Sequence, residues 1–129
     1  MTPLNSFLRR TFAVDAVTCV AAGALMAFAA VPMAQITGLP QPLLVGAGIA
    51  LFAVAAVMTW LSRIRAVPTV LLWLVILGNA AWAVGCLAVL LVTAPTPLGV
   101  AFLVAQAATV AALTALEWRG ASARPLSVA

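Results

Sequence analysis

Four long apolar runs, over about 11–33, 43–61, 69–93 and 98–118, fill most of this chain, and its positive charge is confined to alternate gaps around them. Arg9 and Arg10 precede the first run, Arg63 and Arg65 separate the second from the third, and Arg119 and Arg124 follow the fourth. The other two connections, Gln35–Pro42 and Ala94–Pro97, hold no charged residue. A run of about 20 apolar residues matches a hydrocarbon core about 30 Å thick. Arginines in short loops are retained on the cytoplasmic side, so this one-sided distribution predicts four crossings with both termini cytoplasmic.

Hydrophobic residues make up 67% of the 129 and charged residues only 6%. Soluble domains carry about a quarter charged residues, so no water-facing surface could be built from this composition. A net charge of +4 would point to nucleic acid in a soluble protein. Here the arginines stand in separated pairs beside apolar ends, and they read as contacts for anionic lipid headgroups, with no nucleic-acid partner. Arg9-Arg10-Thr11-Phe12 also has the form of a twin-arginine export signal, but Asp15 interrupts the apolar stretch that such a signal needs. The segment therefore reads as a retained first helix. Cys19 and Cys86 would lie about 12 Å and about 26 Å from the cytoplasmic ends of their helices at a rise of about 1.5 Å per residue. That difference in depth predicts two free thiols that pack as small apolar side chains.

The expected fold is all-α: one domain over 1–129, a four-helix transmembrane bundle running up-down-up-down, with a C-terminal tail over 119–129. Short connections make consecutive helices antiparallel neighbours. Pro32 marks the end of the first span, and the third starts after Pro68, which suits a first helical position. Trp60, Trp73 and Trp118 fall in the cytoplasmic third, where an indole keeps its N–H near water. Small residues four apart, such as Gly46 with Ala50 and Ala81 with Gly85, allow close helix approach. Pro40-Gln41-Pro42-Leu43 and Pro95-Thr96-Pro97-Leu98 recur at an offset of 55 residues, which points to a duplicated pair of helices.

Chemistry-bearing residues are scarce. There is no histidine and no tyrosine, and the serines lie outside the spans. No metal site, haem ligation or Ser-His arrangement can be assembled, no cofactor is implied, and the chain reads as non-catalytic. Asp15 lies about one turn inside the first span, where a carboxyl asks for a partner. Two readings are open: an ion pair with Arg63, Arg65 or Arg119 at the same level, or a carboxyl that exchanges a proton for a cation. Glu117, beside Arg119, reads as a surface ion pair. Near the midplane, Asn79 and Gln106 are expected to hydrogen-bond to each other and clamp the last two helices. Trp82, one turn past Asn79, could instead donate its indole N–H to Gln106. If that stripe faces inward, Asn79, Trp82 and Gln106 would line a small apolar pocket for a lipid, isoprenoid or quinone.

With Arg9-Arg10 before Asp15, Asn79 before Trp82, and Gln106 before Glu117, the chain resembles small uncharacterised bacterial integral membrane proteins of four helices. In outline it is also similar to the small multidrug resistance transporters, which carry an essential carboxylate early in their first helix. Asp15 is the one position that resemblance reaches. The one-sided arginines depart from that family's dual-topology dimers, which need balanced charge. The sequence thus points to a multi-pass protein of a bacterial inner (plasma) membrane. The first expectation is an accessory or assembly subunit of a membrane complex, or a homo-oligomer; the alternatives are a proton-coupled transporter or channel using Asp15, and a lipid-binding protein.

Overall fold

The structure is a computed structural model and describes residues 1–122; Arg124 and the rest of the expected tail lie outside the described residues. It is helical almost throughout. In chain order the elements are β1 (Thr2–Pro3), α1 (Ser6–Phe28), α2 (Ala30–Thr37), α3 (Gln41–Leu61), β2 (Ala66–Val67), α4 (Thr69–Val92) and α5 (Pro97–Ser122). Helices α1, α3, α4 and α5 are long and apolar enough to cross a membrane. Only a helix or a closed barrel can satisfy its own backbone in hydrocarbon, so apolar runs of this length and composition fold as helices.

Three boundaries differ from the sequence expectation. Helix α1 starts at Ser6, so Arg9 and Arg10 lie inside it and not before it. Asn5 is the reason: its Oδ1 accepts from the Leu8 N–H at 2.7 Å and caps the first turn. The first span also does not run straight to Met33. It breaks at Ala29 (φ −109°, ψ 30°) and resumes as α2. Pro32 supplies the cause, since its ring cannot donate to the Phe28 carbonyl and would clash with it in a continuous helix. In the first turn of a new helix the same residue costs no hydrogen bond. Helix α5 in turn continues past Trp118 to Ser122, so the start of the expected tail is helical.

Helix α1 packs chiefly on α3 and also on α5, and α4 packs on α5. The closest approach is between α1 and α3, where a side chain on Gly48 would meet backbone atoms of Ala27 and Gly23 at 2.7 and 2.8 Å. Helices α3 and α4, although consecutive, are not closely packed neighbours. At one end their side chains still meet, because Met58 and Leu61 join Leu72 and Ile76 in a buried apolar cluster with Leu4, Leu8 and Phe12.

That end also gathers the arginine-bearing segments. Strand β1 pairs antiparallel with β2, Thr2 opposite Val67 and Pro3 opposite Ala66, and the Leu4 N–H donates to the Arg65 carbonyl at 2.7 Å. Asn5 Nδ2 donates to the Gly120 carbonyl at 3.4 Å. The uncharged end is tied by Thr96, whose N–H donates to the Thr37 carbonyl at 2.9 Å and whose Oγ1 donates to the Ile36 carbonyl at 2.6 Å. Gly38 ends α2 in the left-handed region (φ 73°), where glycine is favoured.

Candidate functional site

Two polar layers lie within the bundle. The first is built on the inward stripes of three helices. Leu8, Phe12, Asp15 and Cys19 repeat at helical spacing on α1, and Leu113, Glu117 and Gly120 do so on α5; all of them are buried. Leu72, Ile76 and Asn79 form the matching stripe on α4. Asn79 Nδ2 donates to Asp15 Oδ2 at 2.9 Å and to Glu117 Oε1 at 2.8 Å. One amide nitrogen has two N–H groups, so both are used. Cys19 Sγ adds a contact of 3.4 Å to Asp15 Oδ1. The Asn79 nitrogen thus bridges the two carboxyls. Glu117 Oε2 is buried with no partner among the described residues.

This arrangement corrects three sequence expectations. Glu117 is not a surface ion pair with Arg119: it is 0% exposed, whereas Arg119 is exposed. In a helix the Cα–Cβ bond tilts toward the N-terminus, so Glu117 reaches back along α5, away from the arginine end. Asp15, 3% exposed, is held by Asn79 and Cys19; Arg63, Arg65 and Arg119 are not among its partners, and all three are exposed. Asn79 does not clamp Gln106: its N–H groups go to the two carboxyls, and Gln106 pairs with Trp82, Cys86 and Met26. The burial of Glu117 was within reach of the sequence, since it continues the stripe of Gly99, Leu103, Gln106 and Leu113.

In the second layer, Trp82 Nε1 donates to Gln106 Oε1 at 2.6 Å. Cys86 Sγ reaches the same oxygen at 3.3 Å. Gln106 Nε2 has only the Met26 thioether, at 3.7 Å. The expected indole–amide bond is therefore present. Both cysteines are free, as their depths required.

Cavities connect the layers. Two, of about 310 and 210 Å³, are both lined by Asp15, Cys19 and Trp82. A third, of about 590 Å³, lies between α3 and α4 with Trp82, Cys86 and Gln106 in its wall. Trp82 thus borders all three. Among the described residues, no group of three His, Cys, Asp or Glu side chains is placed to hold a metal ion. Chemically, the first layer can hold a proton or cation between two carboxyls, and the second can offer amide N–H groups to a ligand. No protein-family model, curated protein or solved structure matches the chain.

Proposed function

We propose that the chain is a small proton-handling transporter or channel of the plasma membrane, with Asp15, Asn79 and Glu117 as its protonation site. The observation that carries this reading is the donor deficit at the site. Asn79 supplies one N–H to each carboxyl, yet Glu117 Oε2 is buried with no donor. Two ionised carboxyls this close would repel strongly in a poorly screened interior. A proton shared between them removes the repulsion and supplies the missing donor. Ionisable groups inside a membrane span are costly to keep and are typical of proton and ion pathways. The cavities beside Asp15 give a cation somewhere to reside when that proton leaves. In this reading the helices run up-down-up-down with both termini cytoplasmic, and the arginine end faces the cytoplasm.

The test is proton flux into proteoliposomes carrying an internal pH dye, measured under an imposed membrane potential and with a panel of cationic solutes. Wild-type protein should acidify the lumen, and Asp15→Asn and Glu117→Gln should each abolish the flux while remaining folded. Flux that survives both substitutions, or a silent wild type, rejects the proposal.

A second reading, an accessory subunit or homo-oligomer, draws on a different observation. Both carboxyls turn inward while Arg10, Arg63, Arg65 and Arg119 are exposed. The rim among the described residues is therefore basic, suited to anionic headgroups or an acidic partner loop. Cross-linking in native membranes, followed by substitution of Arg63 and Arg65, would show whether a partner depends on that rim.

A further inference from the structure

The large cavity lies apart from the carboxyl layer and asks for a ligand of its own. It occupies the gap between α3 and α4, two helices that do not pack closely on each other, with α1 and α5 side chains at its back. Gly46 on α3 and Gly78 and Gly85 on α4 all line it, and a side chain on any of the three would meet nothing within 4 Å. These glycines therefore serve no close helix contact within the fold, unlike Gly23 and Gly48 on the other side of α3. They keep the walls apart.

Shape distinguishes the occupant. Gly78 and Val89 mark the cavity along α4, about 16 Å apart at 1.5 Å per residue. Its volume of about 590 Å³ is drawn out along that length, the elongated shape of a lipid chain.

Polarity distinguishes the head. Among the described residues, no charged side chain lines the cavity, and its wall is apolar except at Trp82, Cys86 and Gln106. The Gln106 oxygen is already taken by the indole and the thiol. Its nitrogen has two N–H groups and one weak acceptor, the Met26 sulfur at 3.7 Å. What the layer lacks is an acceptor oxygen. We propose that the α3–α4 cleft binds a neutral, chain-bearing lipid through a carbonyl oxygen that accepts from Gln106 Nε2, the lipid entering sideways from the bilayer. An isoprenoid quinone and a diacylglycerol share this chemistry.

The test uses the full chain in detergent micelles, titrated separately with decylubiquinone and with dioctanoylglycerol and read by native mass spectrometry. Gly85→Leu adds a side chain to the cavity wall where a Cβ meets nothing within 4 Å, and Gln106→Leu removes the donor at similar size, together with the acceptor of the Trp82 indole. Saturable 1:1 binding of one probe is expected, abolished by Gly85→Leu and weakened about tenfold by Gln106→Leu, the worth of one hydrogen bond. Which probe binds identifies the lipid class. Melting temperatures of both variants, compared with wild type, separate loss of binding from loss of fold. The inference is overturned if neither probe binds, if Gly85→Leu binds as well as wild type while folded, or if Gly85→Leu instead converts a dimer to a monomer. The last outcome would make the cleft a seat for a second copy. Proton flux plays no part in this readout, so its failure and that of the protonation site remain distinguishable.

Discussion

At the scale of single residues, the side chain that organises the interior is Asn79. Its one nitrogen is all that stands between two buried carboxyls, so removing it leaves them facing each other with Cys19 as the only remaining donor. Leaving buried acceptors without donors costs about 1–3 kcal/mol each, more when they are charged. Asn79→Leu is therefore expected to lower unfolding stability by about 2 kcal/mol in a denaturant titration in detergent. Glu117→Gln should be neutral or stabilising, because its new amide can donate to Asp15. In the Asp15→Asn, Glu117→Gln background the same Asn79→Leu change should cost clearly less; an unchanged cost would show that the amide does not act through the carboxyls. Much of this site was legible one residue at a time: Asp15, Asn79 and Gln106 each stood out as polar groups within an apolar run. Their partners were not. Pairing depends on the register between helices and on the tilt that carries Glu117 inward, and neither quantity is written in the spacing along one run.

At the scale of elements, apolar length gave away four long helices, while their ends and contacts depended on individual side chains. Asn5 starts α1 early because its side-chain oxygen caps the first turn, which carries Arg9 and Arg10 into the helix. Pro32 divides α1 from α2 where it was expected only to end the span. The related turns Pro40–Leu43 and Pro95–Leu98 each lead into a helix, α3 and α5. The two halves nevertheless pack differently: Gly23 lies against Gly48 and Leu51, whereas Gly78, 55 residues on, faces open space. Glycines that look alike in sequence thus separate into contact and cavity positions. Gly48→Ala would press a methyl group onto the Ala27 nitrogen at 2.7 Å and is expected to cost about 1–3 kcal/mol. Gly46→Ala, two residues away with nothing within 4 Å, should leave stability unchanged or raise it by up to about 1 kcal/mol through helix propensity. Thermal unfolding of the two variants side by side checks this, and equal losses would mean that α1 and α3 do not approach as closely as the structure has them.

At the scale of the whole molecule, the carboxyl layer is shut off from the arginine end. Two of the three helices that contribute to the layer place apolar side chains between it and that end: Leu8 and Phe12 on α1, Leu72 and Ile76 on α4. Leu4 and Val67 extend the same cluster from the segments that β1 and β2 bring together, and Leu4 is anchored there by its bond to the Arg65 carbonyl. The cover is thin. A two-residue ladder, one further backbone bond, a hydroxyl contact from Thr2 to Thr69 and the burial of Leu4 hold residues 2–4 in place, the hydrogen bonds worth about 1 kcal/mol net each. Release of that short segment would uncover the cluster and open a path from the arginine side to Asp15. Cys19 reports on it, because its thiol lies 3.4 Å from Asp15 Oδ1 and borders the same two cavities. In a Cys86→Ser background, intact protein should be modified at Cys19 by membrane-permeant N-ethylmaleimide and resist a charged methanethiosulfonate applied from the arginine side. Deleting residues 1–4, with the Asn5 cap kept, should expose Cys19 to the charged reagent from that side and leave it protected from the other. Labelling of the intact protein by the charged reagent would show that the apolar cluster is no barrier. Continued protection after the deletion would place the barrier in the helices themselves, and any proton path to Asp15 would then have to pass Trp82 from the uncharged end.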